Sequence, residues 1–168
     1  MRQLSSNHSN SLRRKTAQRG FSILELVTVV AVGLILAAIA LPLVQNITRT
    51  LRLNAAVSAV TGAMQSTRYH AIFDGCPYNI TFNNTANTYQ VATEATGGAC
   101  ATAFTNVGTA VPFADPKRVT LDQNLTFQFS PGGSVTVTTG TNSFNLTTVG
   151  ATTTKNVKVT KYGSITVQ

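Results

Sequence analysis

Ionisable and metal-binding side chains are scarce in this chain. Only 11% of its 168 residues are charged, and it holds five acids, two histidines and two cysteines. His70 is the only histidine beyond the first 20 residues, and no Gly-x-Ser-x-Gly motif occurs. Two cysteines and two scattered histidines do not make a zinc ligand cluster. We therefore expect no catalytic site, no metal and no cofactor.

The positive charge of the chain is concentrated at its start. The formal net charge is +8, and five bases precede Phe21 without any acid. From Phe21 onward, eight bases and five acids leave +3, which is too little to indicate nucleic-acid binding from charge alone. Residues 1–20 are interpreted as a polar, basic targeting leader. Sparse charge with frequent Thr, Asn and Gly favours a β-rich domain outside the cytoplasm.

A long apolar run follows this leader. Phe21 to Val44 is 24 residues, about 36 Å as a helix, and a membrane core is about 30 Å thick. Glu25 is the only charged residue in the run. A carboxylate at the centre of a membrane helix costs roughly 2.5–3.5 kcal/mol, less near its end, so Glu25 needs a partner. The positive-inside bias keeps the basic leader in the cytoplasm and places the rest of the chain outside.

Two other interpretations of the apolar run stay open. One is a plain membrane anchor. The other is an ordinary secretory signal cleaved after Ala40, because Ala38-Ile39-Ala40 has the small-x-small form of a signal-peptidase site. Against that signal, Glu25 lies between the basic leader and the apolar core, and the run continues directly into another helical pattern. We prefer residues 21–44 as the membrane half of one long helix.

Residues 45–75 continue the helix as an amphipathic segment. Apolar residues recur at three- and four-residue steps, with one gap at Arg68, and predict a stripe that packs against a sheet. This stripe consists of Leu53, Val57, Val60, Met64 and Ala71. Its predicted polar complement consists of Arg49, Arg52, Gln65 and Arg68. The pair Asp74-Gly75 predicts the helix end, with Gly75 suited to a left-handed cap.

From residue 76 to residue 168 the pattern changes to a period of two. Short alternating segments separated by turn residues predict antiparallel strands, in two small sheets or one curved sheet. The predicted strands are 78–82, 88–92, 118–121, 125–129, 134–139, 143–148, 156–160 and 164–167. Residues 95–117, which are rich in Gly and Pro, are predicted to be a loop. The fold class is therefore α+β, a long helix packed on a small antiparallel β domain.

Cys76 and Cys100 are the only cysteines. An even count in a domain outside the cytoplasm favours a disulfide, and two buried free thiols are the alternative. A closed loop of this length stabilises by about 3.5 kcal/mol in the chain-entropy model. The bond would join the helix exit and first hairpin to the following loop.

The N-terminal residues carry a family resemblance. The segment Gly20-Phe21-Ser22-Ile23-Leu24-Glu25-Leu26, with its basic leader and with Pro42 at the outer end of the apolar run, resembles the prepilin signal of type IV pilins and type II secretion pseudopilins. The C-terminal part resembles the GspH/FimT group of minor pilins and pseudopilins. There the similar segments are Phe127–Gly133 and Val157–Ile165.

The resemblance implies a processing and assembly pathway. A prepilin peptidase would cut between Gly20 and Phe21 and methylate the new Phe21 amine. The subunit would wait in the inner membrane, in contact with membrane lipid and an assembly platform, with its C-terminal domain in the periplasm. It would then enter a filament of other pilin or pseudopilin subunits, where Glu25 would pair with a neighbour's Phe21 amine. The alternative for Glu25 is that its side chain reaches up to the lipid headgroups.

The favoured function is a minor pseudopilin of a type II secretion system, and a FimT-like type IV minor pilin is the alternative. Some FimT-like pilins bind DNA through arginines that follow a glycine near the C-terminus. Here Gly163 is followed by Ser-Ile-Thr, so DNA is a disfavoured partner. Lys155, Lys158 and Lys161 are left as a candidate weak basic edge.

Overall fold

A computed structural model describes residues 21–97, 99–150 and 153–168 of the protein. The leader at 1–20, including Gly20, lies outside the described residues. The chain divides into two compact units, Met1–Leu41 and Pro42–Gln168. Helix α1 (Ile23–Phe73) has 51 residues and includes Pro42. In length and composition it is sufficient to cross a membrane.

Nine strands follow α1 in the described part of the chain, and they form two antiparallel sheets. The five-stranded sheet has the order β3-β2-β1-β5-β6, and the four-stranded sheet has the order β4-β7-β8-β9. The strands are β1 (Tyr78–Asn83), β2 (Thr88–Thr96), β3 (Ala99–Pro112), β4 (Val119–Leu121), β5 (Leu125–Phe129), β6 (Val135–Thr139), β7 (Ser143–Thr148), β8 (Thr154–Val159) and β9 (Ile165–Val167). The predicted α+β class is confirmed.

The amphipathic stripe of α1 packs into one core with both sheets. All five predicted stripe residues are buried, together with Ala56 and Thr67 of the same helix face. Opposite them, alternate residues of β1, β5 and β7 point inward because successive strand side chains face opposite sides. Phe127 of β5 and Phe144 of β7 meet with ring centroids 6.1 Å apart. This contact joins the two sheets beneath the helix.

The predicted loop at 95–117 is wrong over most of its length, because residues 99–112 form β3. This strand is mostly exposed and, within the described residues, pairs only with β2, so it shows no alternation of buried and exposed residues. Gly108 has a φ of +68° where the pairing with β2 is irregular, and Gln90 donates to the carbonyl oxygens of Val107 and Gly108 at 3.2 and 3.3 Å. Because an edge strand with a bulge tolerates glycine and proline, its composition resembles that of a loop.

Arg68 is also placed differently from the prediction. The helical pattern predicts it in the polar complement of the stripe, but its guanidinium is half-buried and donates to main-chain carbonyls of two turns. The acceptors are Gly133 O at 3.0 Å, Tyr162 O at 3.1 Å and Gly163 O at 3.3 Å. Gly133 precedes β6 of one sheet and Gly163 precedes β9 of the other. Arg68 therefore links the helix to both sheets.

Candidate functional site

The start of α1 is set by Ser22. The Ser22 hydroxyl accepts a hydrogen bond from the Leu24 N–H at 3.3 Å, and the Ser22 carbonyl accepts one from the Leu26 N–H at 3.1 Å. Ser22 is therefore the N-cap, and the helix begins at Ile23. Phe21, directly before the cap, is 80% exposed. The predicted cleavage point thus lies immediately outside the helix.

Glu25 lies in the first turn of α1, three residues after the N-cap. Its side chain is exposed, and no ion pair of Glu25 occurs within residues 21–97, 99–150 and 153–168. A carboxylate in the first turn is favoured by the positive end of the helix dipole, and serine followed three residues later by glutamate has the form of a capping box. The acid is thus tolerated at this end of the helix, and its exposed carboxylate is accessible to a cation from outside the chain.

The apolar run presents its side chains outward. Every residue from Phe21 to Val44 is exposed, including Leu26, Val30 and Leu34 on one helix face. An exposed apolar surface of this extent needs a cover of lipid or protein. The roles predicted for Phe21, Glu25 and the membrane half of the helix concern contacts beyond a single chain, and they stay predictions.

Cys76 and Cys100 form a disulfide, with their Cα atoms 5.4 Å apart. Cys76 follows the end of α1 and is 3% exposed, whereas Cys100 lies at the start of the edge strand β3. The Cys100 Cα is also paired with that of Ala95 across the irregular β2–β3 register. The bond therefore anchors β3, the outermost strand of the five-stranded sheet, to the segment that follows the C-terminal end of α1.

A small aromatic cluster lies beside this disulfide. The Tyr78 hydroxyl donates a hydrogen bond to the Asp74 carboxylate, and the His70 ring stacks on the Tyr78 ring at a centroid distance of 5.9 Å. Burial raises the pKa of Tyr78 above its ordinary value of 10.0, and the neighbouring Asp74 carboxylate raises it further. A cleft of about 290 Å³ adjoins His70 and Tyr78. No cluster of three metal-ligating side chains occurs in the part of the chain that the structure describes.

The three candidate lysines do not share a face. Lys155 and Lys158 are three residues apart on β8, so they point to opposite sides of the four-stranded sheet. Lys155 pairs across the strands with buried Leu146 at the margin of the core face, and Lys158 is exposed on the other side. Lys161 lies in the following turn, with its amine 4.9 Å from the Tyr162 ring centroid. The candidate weak basic edge is therefore divided between two faces of the sheet and the turn after β8, and its binding of DNA stays a prediction.

Two connecting residues were missed by sequence reasoning. Arg68 occupies a stripe position between Met64 and Ala71, and that placement was the available signal that its side chain turns inward. Asn87 has a φ of +49° and is fully buried in the β1–β2 turn. Its side-chain amide donates to the Val119 carbonyl at 2.5 Å, which joins the hairpin to β4 of the second sheet. No local signal marks that contact.

Comparisons with known proteins bear mainly on the N-terminus. A family model described as the prokaryotic N-terminal methylation motif matches residues 15–41, which confirms the resemblance of this segment to prepilin-type sequences. No curated protein matches the chain. Among solved structures, the chain is similar to the minor pseudopilin EpsH from the Type 2 Secretion System of Vibrio cholerae, with 12% identity and a TM-score of 0.49. That similarity covers 68% of this chain and 95% of the other.

Proposed function

We propose that the protein is a minor pseudopilin subunit of a type II secretion system, without catalytic activity, that assembles into a short periplasmic pilus. The observation that carries the proposal is the methylation motif at residues 15–41, which runs from the basic leader into a helix of membrane-spanning length. The choice of a GspH-like subunit rests on the sequence resemblance of Phe127–Gly133 and Val157–Ile165.

Processing would create the partner that Glu25 needs. Cleavage between Gly20 and Phe21 produces a cationic amine one residue before the N-cap, where a prepilin peptidase would methylate it. In a filament the Phe21 amine of one subunit would lie against Glu25 of the next, within an apolar environment. A mismatch in stagger would leave a buried charge unpaired, which costs several kcal/mol, so the pair can set the register between subunits.

The proposed orientation places the leader in the cytoplasm and residues 45–168 in the periplasm. The basic leader supports this by the positive-inside bias. The Cys76–Cys100 disulfide supports it independently, because such bonds persist on the oxidising side of the membrane. The subunit would await an assembly platform in the inner membrane before entering the pilus.

A FimT-like type IV minor pilin is the second candidate. It shares the N-terminal signal, so the two differ in the filament that they join. DNA uptake by such a pilin is the less favoured variant, because Lys155 and Lys158 point to opposite faces and no arginine follows Gly163. Loss of exported enzymes from the medium after deletion of the gene would support the secretion role, whereas loss of surface pili with normal secretion would support the pilin role.

The mature N-terminus tests the shared part of both proposals. Mass spectrometry of the membrane-extracted protein is expected to find methylated Phe21 as the first residue. A mature protein that begins at Leu41 would instead identify a soluble secreted protein released after Ala40. Gly20→Val is expected to block processing, since the peptidase must accept the residue before the cut. Gly33→Val makes the same change inside the helix and serves as the matched control, because a Cβ added at Gly33 would meet no other part of the described chain within 4 Å.

A further inference from the structure

Three arginines lie close together outside the region that the proposed contact between Phe21 and Glu25 involves. Arg49, Arg52 and Arg118 line one open cleft of about 410 Å³, which we call the arginine cleft. Its other walls are Val44, Gln45 and Thr48. Three guanidinium groups around one space repel one another, and they therefore favour an anion between them.

Two different elements bring the arginines together. Arg49 and Arg52 are three residues apart on α1 and so lie on one face of the helix. Arg118 comes from the loop before β4, which Asp115 shapes by accepting hydrogen bonds from the N–H groups of Lys117 and Arg118, both at 2.9 Å. The Arg118 carbonyl accepts a further bond from the Val149 N–H at 2.9 Å. These main-chain contacts hold the Arg118 backbone within the β domain, and the Arg118 side chain lines the cleft beside Arg49 and Arg52.

The charge of the arginine cleft is largely unbalanced. All five acids of the chain lie in the described residues, and the one ion pair at the cleft joins Asp115 to Arg118, with 3.9 Å between the carboxylate and the guanidinium. Asp115 also lines a neighbouring cleft together with Arg52 and Arg118. Both side chains of that pair are more than half exposed, so the attraction is weak. Arg49 and Arg52 form no ion pair with any of the five acids. Two arginines therefore remain available to bind an external anion.

The position of the cleft along the chain indicates which anion it meets. Arg49 and Arg52 follow the last apolar residue of the run, Val44, by about 8 and 12 Å along the helix axis. The headgroup layer beyond the hydrocarbon core is roughly 5–8 Å thick on each side. Helical side chains lean toward the N-terminus, so both arginines lean back toward Val44, which is itself a wall of the cleft. With residues 21–44 in the hydrocarbon core, both guanidinium groups would lie in the lipid headgroup layer.

We propose that the arginine cleft binds the phosphate of an anionic phospholipid headgroup. Guanidinium groups match phosphate oxygens in a bidentate manner, and the Thr48 hydroxyl and Gln45 amide offer additional polar contacts in the same cleft. A lipid is favoured over free phosphate because Val44, the last residue of the exposed apolar run, is a wall of the same cleft, so acyl chains along the run would end beside the charged groups. Bound lipid would fix the depth and rotation of the helix while the subunit waits in the membrane.

The test uses the full chain in a neutral detergent. Native mass spectrometry would measure retained phosphatidylglycerol against retained phosphatidylcholine, with inorganic phosphate as a competitor in a parallel arm. The variant is Arg49→Gln, Arg52→Gln and Arg118→Gln together. The matched control is Lys155→Gln, Lys158→Gln and Lys161→Gln, which removes the same charge from another part of the β domain. Each arginine near an anionic surface is worth roughly a fivefold change in affinity.

We expect the protein to prefer phosphatidylglycerol, the arginine variant to bind it on the order of 100-fold more weakly, and the lysine variant to bind it normally. Equal losses in both variants, or no preference between the two lipids, would overturn the proposal. Displacement of the lipid by inorganic phosphate at similar concentration would reassign the site to the free anion. If the arginine variant instead no longer cross-links to neighbouring subunits in cells but still binds the lipid, the cleft would be reassigned to contact between subunits.

This assignment rests on the membrane anchoring proposed above, and the two can fail separately. Fractionation of cells that express the same variants reports anchoring, because it depends on the apolar run and not on the arginines. A chain found in the soluble fraction would refute the anchoring. A membrane-bound chain without lipid preference would refute only the lipid site.

Discussion

The contact between Arg68 and the two turns allows a quantitative test of how α1 is held on the sheets. Replacing Arg68 with Met keeps much of the apolar stem and removes three hydrogen bonds from a charged donor. Bonds of this kind are worth about 1.5–3 kcal/mol each when buried, but the site is half-exposed and water replaces part of the loss. We expect the free energy of unfolding to fall by about 2–3 kcal/mol.

Gly163 provides the complementary change. Its φ is +79°, and a Cβ placed there would clash with Arg68 Nε and lie 2.7 Å from Arg68 Cζ. Gly163→Ala must therefore displace a guanidinium that three carbonyls hold. We expect a loss of about 3–4 kcal/mol, of which about 1 kcal/mol comes from the left-handed backbone alone. Gly150→Ala isolates that backbone part, because Gly150 has a φ of +73° and a Cβ added to it would meet no atom of the described residues within 4 Å.

A double-mutant cycle completes the design. If Gly163→Ala acts by displacing Arg68, the guanidinium contacts can be lost only once. The combined variant should then cost about 3–4 kcal/mol, which is about 2–3 kcal/mol less than the sum of the single changes. Urea unfolding of the full chain in neutral detergent, followed by tyrosine fluorescence, gives these values with the slope as a check on two-state behaviour. Additive losses, or equal losses for Gly163→Ala and Gly150→Ala, would show that the added Cβ does not displace the Arg68 guanidinium.

Three other predictions concern separate parts of the protein. Glu25→Val should leave cleavage and membrane residence intact but impair entry into filaments, as measured by cross-linking, and normal assembly would show that the charge pair is not needed. Replacing both Cys76 and Cys100 with Ser should lower the free energy of unfolding by about 2–4 kcal/mol in urea titration, while an unchanged midpoint would contradict this. The raised pKa of Tyr78 means that its stabilising contribution is complete below about pH 10 and is lost as pH rises through the folded-state pKa. An ultraviolet titration should therefore show one late-ionising phenol that disappears in Tyr78→Phe, and its persistence would assign it to another tyrosine.

The strands that the sequence predicts well are those with one buried face. The strands at 125–129 and 143–148 have the same bounds in the structure as in the prediction, because alternate residues enter the core and leave a period of two in the sequence. β3 was missed for the converse reason. It is an exposed edge strand, and its place depends on β2 and on the disulfide at Cys100 more than on its own pattern.

At the candidate site, too, the residues that could be predicted are those whose role depends on local sequence. The leader, Phe21, Glu25 and the apolar run could be recognised from the sequence because their chemistry depends on order and spacing along one continuous segment. The arginine cleft, the inward Arg68 and the separation of Lys155 from Lys158 were decided by the tertiary structure. Each depends on which residues from distant parts of the chain meet, and that is set by packing of the helix on two sheets, which no local spacing encodes.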